Sequence, residues 1–87
     1  MRHHRQASFF VTSHPTPPAL PQLLGLFADH GHVPARVRSR LLGQLLQVDV
    51  DVVSLTDGEA DLLAARLRDL PTVTSVRYEQ VEGQAAA

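Results

Sequence analysis

The stretch from Gln44 to Ser54 alternates between apolar and polar residues more clearly than any other part of the chain. From Leu46 to Val52 it reads Leu-Gln-Val-Asp-Val-Asp-Val. Successive side chains of a β-strand point to opposite faces, so this pattern predicts a strand with one buried and one polar face. The chain must therefore supply further strands, and a cover for the apolar face.

A second strand is predicted just before it, over Val33–Leu41, with a two-residue turn at Leu42-Gly43. This turn sets Ser39 opposite Leu46, Val37 opposite Val48 and Ala35 opposite Val50. The apolar faces of the two strands then coincide, and a slip of one residue would destroy that agreement.

A first helix is predicted to begin after the proline-rich segment His14–Pro18. Thr16 is its expected cap, with Pro17 at the first helical position, where a missing N–H costs nothing. The helix runs to about His30, and Gly31 fits the left-handed position that closes a helix. Its buried stripe recurs at helical spacing and consists of Leu20, Leu23, Leu24 and Phe27.

A second helix is predicted from the capping box Thr56-Asp57-Gly58-Glu59, in which Thr56 caps the helix and Glu59 reaches back. It runs to about Asp69, and Pro71 ends it. Its expected inner face consists of Ala60, Leu63, Leu67 and Leu70.

Two further strands are predicted, over Ala7–Ser13 and Val73–Val81, the latter with Val76 and Tyr78 on one face. The order is then strand, helix, strand, strand, helix, strand. Right-handed crossovers give an α+β ferredoxin-like βαββαβ sandwich. It has a four-stranded antiparallel sheet, both helices on one face, and the second and fourth strands at the edges.

Composition narrows the class of protein. The 87 residues form one small domain, expected over residues 7–81 between a mobile arm (1–6) and a tail (82–87). Cysteine is absent, which excludes disulfides and thiolate metal sites. The net charge of −1 and the 5 % aromatic content argue against nucleic-acid binding. No apolar run is long enough for a membrane span or a signal peptide, so we expect a cytoplasmic protein without a membrane partner.

Neither a metal site nor a catalytic site is expected. His14 lies at one end of the predicted sheet and His30 and His32 at the other, so they do not converge within one chain. Asp49 and Asp51 share an exposed strand face with no nucleophile beside an adjacent base. We therefore expect a binding module rather than an enzyme, with no cofactor of its own.

Arginines 36, 38 and 40 lie on the face of the second strand away from the helices. The simpler interpretation is a solvated face, with Arg36 opposite Asp49 in the predicted register. Such a cross-strand pair contributes only about 0.2–1 kcal/mol. The sharper hypothesis is a docking face for an acidic patch on a large partner.

Two segments carry a family resemblance. Leu23–His32 reads Leu-Leu-Gly-Leu-Phe-Ala-Asp-His-Gly-His, and Leu67–Val76 has the form L-x-x-L-x-x-V-x-x-V. With the order of elements over about Phe9–Val81, they resemble the ACT domain, an amino-acid-binding regulatory module. They look most like the small, regulatory subunit of acetolactate synthase.

The resemblance implies a homodimer that pairs through the second strand and first helix. The dimer or partner edge would comprise Val33, Ala35, Arg36, Val37, Arg38 and Arg40. A small amino acid would bind between the first strand-to-helix loop of one chain and the start of the second strand of the other. The implied ligand-binding residues are His14, Thr16, Pro18, Ala19, Leu20, His32, Val33 and Pro34.

Two prolines depart from the pattern of that family. Pro18 stands where the family usually has a glycine, and Pro34 where valine-sensitive small subunits usually have an asparagine. Both remove a hydrogen-bond donor, so we expect little or no response to valine.

Three functions remain open. The first is a subunit that binds and activates the thiamine-diphosphate-dependent catalytic subunit of acetolactate synthase, supporting branched-chain amino-acid synthesis. The second is a free-standing amino-acid sensor, and the third is a structural assembly domain.

Overall fold

The computed structural model describes the backbone of residues 5–82 and the side chains of residues 6–80. Its elements follow the predicted order. They are β1 (Arg5–Ser13), α1 (Ala19–Asp29), β2 (Arg36–Leu42), β3 (Leu45–Val53), α2 (Asp57–Arg68) and β4 (Val73–Glu82). β1 takes in the last two residues of the predicted arm; residues 1–4 and 83–87 lie outside the described residues.

The four strands form one antiparallel sheet in the order β2-β3-β1-β4. β2 and β4 are therefore the edges, and the ferredoxin-like βαββαβ sandwich is confirmed. The face of the sheet that the helices cover is called the helix face here, and the other the open face.

The β2–β3 register differs from the predicted one by two residues. Val37 lies opposite Val50, Ser39 opposite Val48 and Leu41 opposite Leu46. The turn residues are Gly43 and Gln44 rather than Leu42 and Gly43. Turns of this kind require a positive φ at the first central position, which glycine adopts readily and leucine does not; Gly43 has φ +63°. A shift of two residues leaves every side chain on its predicted face.

The predicted beginning of β2 is also wrong. Val33, Pro34 and Ala35 precede the strand, and Ala35 pairs with no residue of β3 as a strand partner. Its backbone N–H donates to the carbonyl oxygen of Asp51 at 2.7 Å, the same residue that faces Arg36. Pro34 has no N–H to continue the ladder, so regular pairing begins two residues later.

The start of α1 contradicts the predicted cap. Thr16 does not cap the helix; its carbonyl oxygen accepts from the Ala19 N–H at 3.0 Å, and Pro17 lies in the resulting turn. Pro18 is the residue before the helix and provides no side-chain cap. Two consecutive prolines thus form a turn first, and the helix begins at Ala19.

The end of α1 is as predicted. Gly31 has φ +79° and its N–H donates to the carbonyl of Ala28 at 2.9 Å. The N–H of His32 donates to the carbonyl of Phe27 at 2.9 Å. This paired arrangement satisfies the last carbonyls of the helix.

The capping box of α2 is confirmed. The Glu59 N–H donates to the Thr56 hydroxyl at 3.1 Å, and the Thr56 N–H donates to Oε1 of Glu59 at 2.9 Å. This carboxylate hydrogen bond is the main reason that the pKa of Glu59 is lowered; the nearby His32 also contributes.

The core lies between the helices and the three strands β1, β3 and β4. The Phe9 ring packs edge-on against Phe27, with 5.3 Å between centroids, and stacks on Tyr78 at 5.5 Å. The inner faces of the helices are close to the predictions, although Leu20, Leu24 and Leu70 are only partly buried. The buried helical residues are Ala19, Leu23, Phe27, Ala60, Leu63, Ala64 and Leu67.

Candidate functional site: the free edge of β2

β2 is the least covered element of the sheet. All seven of its residues are exposed, including two apolar ones on the helix face: Val37 is 41 % exposed and Leu41 is 68 % exposed. The helices cover the other strands but stop short of this edge. An edge strand with uncovered apolar residues is a surface that another molecule can dock against.

A groove of about 480 Å³ runs along this edge beside the β1–α1 loop. The loop, α1, β2 and β3 all contribute to it. Its lining residues are Pro15, Thr16, Pro17, Leu20, Ser39, Arg40, Leu41 and Leu46. Ser39, Arg40 and Leu41 are consecutive in β2, and successive side chains of a strand point to opposite faces. All three residues line the groove, so the groove lies against the edge of the strand.

The edge of β2 offers backbone donors and acceptors alternately. In a hairpin with a two-residue turn, the flanking pair Leu42–Leu45 exchanges hydrogen bonds, and every second pair does the same. The N–H and C=O groups of the intervening residues point away from β3. These residues are Val37, Ser39 and Leu41, and the last two line the groove.

The N-terminus of α1 offers less than its position suggests. A helix start normally presents several free N–H groups to an anion. Here Pro17, Pro18 and Pro21 have none, and that of Ala19 is used by the Thr16 carbonyl. Within the described residues, only the N–H of Leu20 is left in this first turn. Donors for a ligand must therefore come mainly from β2.

The ligand-binding residues predicted from the sequence divide into two groups. Thr16 and Leu20 line the groove, while His14 and Pro18 are exposed beside it and Ala19 is buried. The second group lies at the opposite end of β2. It consists of His32 and Pro34, which are half-buried, and Val33, which is 83 % exposed.

One chain does not bring these two groups together. β1 and β2 are both antiparallel to β3, so they are parallel to each other. The end of β1 and the start of β2 therefore lie at opposite ends of the sheet. Within the described residues, the two groups could form one site only with a second chain.

The sequence reasoning missed most of the groove's apolar lining. Pro15 and Pro17 were assigned only to a loop and a helix start, and Leu46 only to the core. Leu41 was missed because the predicted turn put it at the very end of its strand. The signal was nevertheless present: Leu41 and Leu42 are consecutive leucines, so one must lie on each face of the sheet.

The open face of β2 carries the predicted arginine stripe. Arg36 lies opposite Asp51 and Arg38 opposite Asp49, so the predicted pairing of Arg36 with Asp49 is wrong by two residues. With Phe10 these four residues line a second groove of about 190 Å³. In the described part of the chain neither pair closes into an ion pair, and Oδ1 of Asp49 is buried without a hydrogen-bond partner.

A family model described as "ACT-like domain" matches residues 2–85. The match spans nearly the whole chain. The chain belongs to the ACT-like domain family.

Solved structures with little sequence similarity share the fold of this ACT-like domain. The ACT domain from GTP pyrophosphokinase of Chlorobium tepidum superposes with a TM-score of 0.75 at 11 % identity, covering 85 % of this chain and 96 % of that one. The C-terminal domain of the MgtC protein from Mycobacterium tuberculosis gives 0.72 at 15 %, covering 95 % and 94 %. A homoserine dehydrogenase from Thiobacillus denitrificans gives 0.75 at 14 %, covering 91 % of this chain and 18 % of that one.

Membership of the ACT-like family indicates a regulatory, amino-acid-sensing role rather than a catalytic one. Neither the family's description nor these three structures point to acetolactate synthase, and no curated protein matches the sequence. No helix among residues 5–82 is long and apolar enough to cross a membrane. In the same residues, no three histidines or carboxylates group as a metal site would require.

Proposed function

We propose that this ACT-like domain is a non-catalytic cytoplasmic regulatory domain that binds an amino acid with an apolar side chain. The ligand lies in the groove beside β2. The observation that carries the proposal is the meeting of an unpaired strand edge with an aliphatic lining, in an open space of about 480 Å³.

The chemistry of the groove fits a zwitterion. A free amino acid needs donors for its carboxylate and acceptors for its ammonium group. The backbone of Ser39 and Leu41 offers both along one edge, and the Thr16 hydroxyl can act as either. Leu20, Leu41 and Leu46 supply the apolar wall for the ligand's side chain.

A second copy of the chain completes the site in this proposal. Two copies that pair the first part of β2 antiparallel, around Arg36 and Val37, bury Val37 against the other chain. This pairing leaves the outward N–H and C=O groups of Ser39 and Leu41 to the ligand, and α1 flanks the contact. Antiparallel pairing also brings the start of each β2 to the end of the other. His32, Val33 and Pro34 of the second copy then approach the groove of the first.

Thermal unfolding in the presence of each amino acid tests the proposal. A ligand at one hundred times its dissociation constant stabilises the folded state by about 2.7 kcal/mol, a shift of several degrees for a domain of this size. We expect a shift from at least one apolar amino acid, with little from valine. No shift from any amino acid would contradict the proposal.

Ser39→Pro is the test variant for this assay and Leu62→Ala is its control. The first removes an outward N–H from the groove, whereas the second truncates an exposed apolar residue on α2 that is not part of the groove lining. The shift should disappear in the first variant and persist in the second. Loss in both, or in neither, would place the ligand elsewhere.

A more specific proposal concerns the regulated enzyme. The segments Leu23–His32 and Leu67–Val76 favour the catalytic subunit of acetolactate synthase, whose thiamine diphosphate would remain the property of that subunit. A pull-down from cell extract, followed by the rate of any captured synthase with and without this chain, tests it. Capture of a different enzyme would replace this partner and leave the groove proposal intact.

A further inference from the structure

Three of the eight basic residues stand in one column at the free edge of the sheet. Arg36, Arg38 and Arg40 are all exposed and point to the open face of β2. Asp51, Asp49 and Gln47 stand opposite them on β3. Two carboxylates against three guanidinium groups leave this arginine column positively charged.

The guanidinium groups of the column form no ion pairs with neighbouring carboxylates among the described residues. Arg36 and Arg38 line the groove of about 190 Å³ together with the two aspartates. By contrast, Arg77 on β4 packs over the Phe10 ring at 4.6 Å and pairs with Glu79 at 3.5 Å. The column therefore presents donors that lack acceptors.

Pairing of two copies through β2, the arrangement on which this inference rests, brings the two columns together. Side chains directly opposite each other in an antiparallel pair lie on the same face. If both copies keep their helices on the same side, open-face residues meet open-face residues in every register. Helix-face residues likewise meet helix-face residues, while pairing around Arg36 and Val37 sets arginine against arginine, and like charges directly opposite each other are destabilising.

We propose that the two arginine columns together bind a multivalent oxyanion, which links the formation of the dimer to the concentration of that anion. Guanidinium groups hold phosphate and carboxylate oxygens through paired, charge-assisted hydrogen bonds. An anion bound between the columns replaces the repulsion by contacts to both chains. A monovalent chloride ion only screens the charge.

Sedimentation equilibrium of the full chain at low salt tests this. The probes are inorganic pyrophosphate and citrate at about 1 mM, each compared with sodium chloride of the same ionic strength. We expect one or both to tighten the dimer dissociation constant by about tenfold or more over chloride, the scale of one charge-assisted hydrogen bond. The more effective probe identifies a phosphate or a carboxylate as the preferred group.

Two double variants with the same loss of charge provide the control. In R36Q/R38Q the dimer should be tighter than wild type at low salt and should no longer respond to the anions. R66Q/R77Q removes two exposed arginines from α2 and β4, and β4 lies three strand spacings, about 14 Å, from β2. This variant should respond like the wild type.

The outcomes separate this inference from the proposed function. A wild-type dimer that responds to the anions no more than to chloride would overturn the oxyanion site and leave the amino-acid groove standing. Equal loss of response in both variants would also overturn it, because the effect would then follow net charge. A monomer under every condition would contradict both the oxyanion site and the pairing through β2.

Discussion

The two βαβ halves of the chain have the same order of elements, but the last strand is covered by a helix in one half and exposed in the other. In the second half (β3–α2–β4), the helix covers the edge strand: Val76 is only 8 % exposed and its carbonyl accepts from Nη2 of Arg68 at 3.1 Å. The Tyr78 hydroxyl donates to Asp61 on the same helix. In the first half (β1–α1–β2), the edge strand is bare and the helix starts without a side-chain cap.

The difference teaches that the two halves contribute to different properties. The second half holds the more regular local structure, with a capped helix tied to its strand by side-chain hydrogen bonds. The first half leaves its donors, acceptors and apolar residues uncovered at β2. An unpaired strand edge of this kind is a surface on which another chain or a ligand can dock.

The largest difference in stability is expected when one leucine in each half is replaced by alanine. Leu67 on α2 is fully buried, so Leu67→Ala should reduce the free energy of unfolding by about 3 kcal/mol. Leu41→Ala on β2 should change it by less than about 0.5 kcal/mol in dilute, monomeric protein. Urea denaturation measures both, and similar losses would mean that the β2 edge is part of the core.

A pair of proline variants tests which backbone N–H groups of β2 bond to β3 and which point outward. The Arg38 N–H faces β3 in the hydrogen-bonded ladder, whereas the Ser39 N–H points outward. Arg38→Pro should therefore cost about 2 kcal/mol more than Ser39→Pro, because it alone breaks a strand-to-strand bond. Urea denaturation measures both costs. A larger cost for Ser39→Pro would show that the Ser39 N–H, and not the Arg38 N–H, bonds to β3.

The two helix starts should differ by less. Thr56→Ala removes a side-chain cap and should cost about 1 kcal/mol. Thr16→Ala removes no such bond at the start of α1, so its cost should be close to zero in the free chain. If Thr16→Ala proves as costly as Thr56→Ala, α1 has a cap in solution like that of α2.

The smallest effect is the pH dependence of the capping box. The pKa of Glu59 lies below its ordinary value of 4.5, mainly because the carboxylate accepts a hydrogen bond from the Thr56 backbone. Its stabilisation is therefore complete above pH 4.5 and is lost as the pH falls through the lower folded-state pKa. The difference in Tm between wild type and Glu59→Gln should shrink over this window, and a constant difference would contradict the assignment.

The sequence predicted the second half better than the first for physical reasons. The capping box and the alternation of β3 are local signals that nothing nearby competes with, and both are confirmed. Near the start of α1, two consecutive prolines follow Thr16, and their turn displaced the predicted cap by two residues, from Thr16 to Pro18. The predicted register of the β2–β3 hairpin was wrong by two residues. Hydrophobic alternation determines which face of the sheet a side chain lies on, but not which residues of the two strands are paired; the position of Gly43 in the turn determines the pairing.

The candidate site was less predictable than the fold. Thr16 and Leu20 lie in the groove, but its apolar wall depends on how far the helices extend over the sheet, and no local pattern encodes that. The second group of predicted ligand residues, around Val33, lies at the other end of β2 and would need a second chain. The ligand and dimer assignments therefore stay predictions.

The exchange rates of the Val37, Ser39 and Leu41 amide hydrogens, followed by NMR, test the central claim most directly. In dilute protein without ligand these three amides should exchange fast, since they point away from β3. With concentrated protein and the most stabilising amino acid they should slow by about tenfold or more, while the β4 amides change little. Slowing confined to β4, or spread evenly over the sheet, would contradict binding at the free edge of β2.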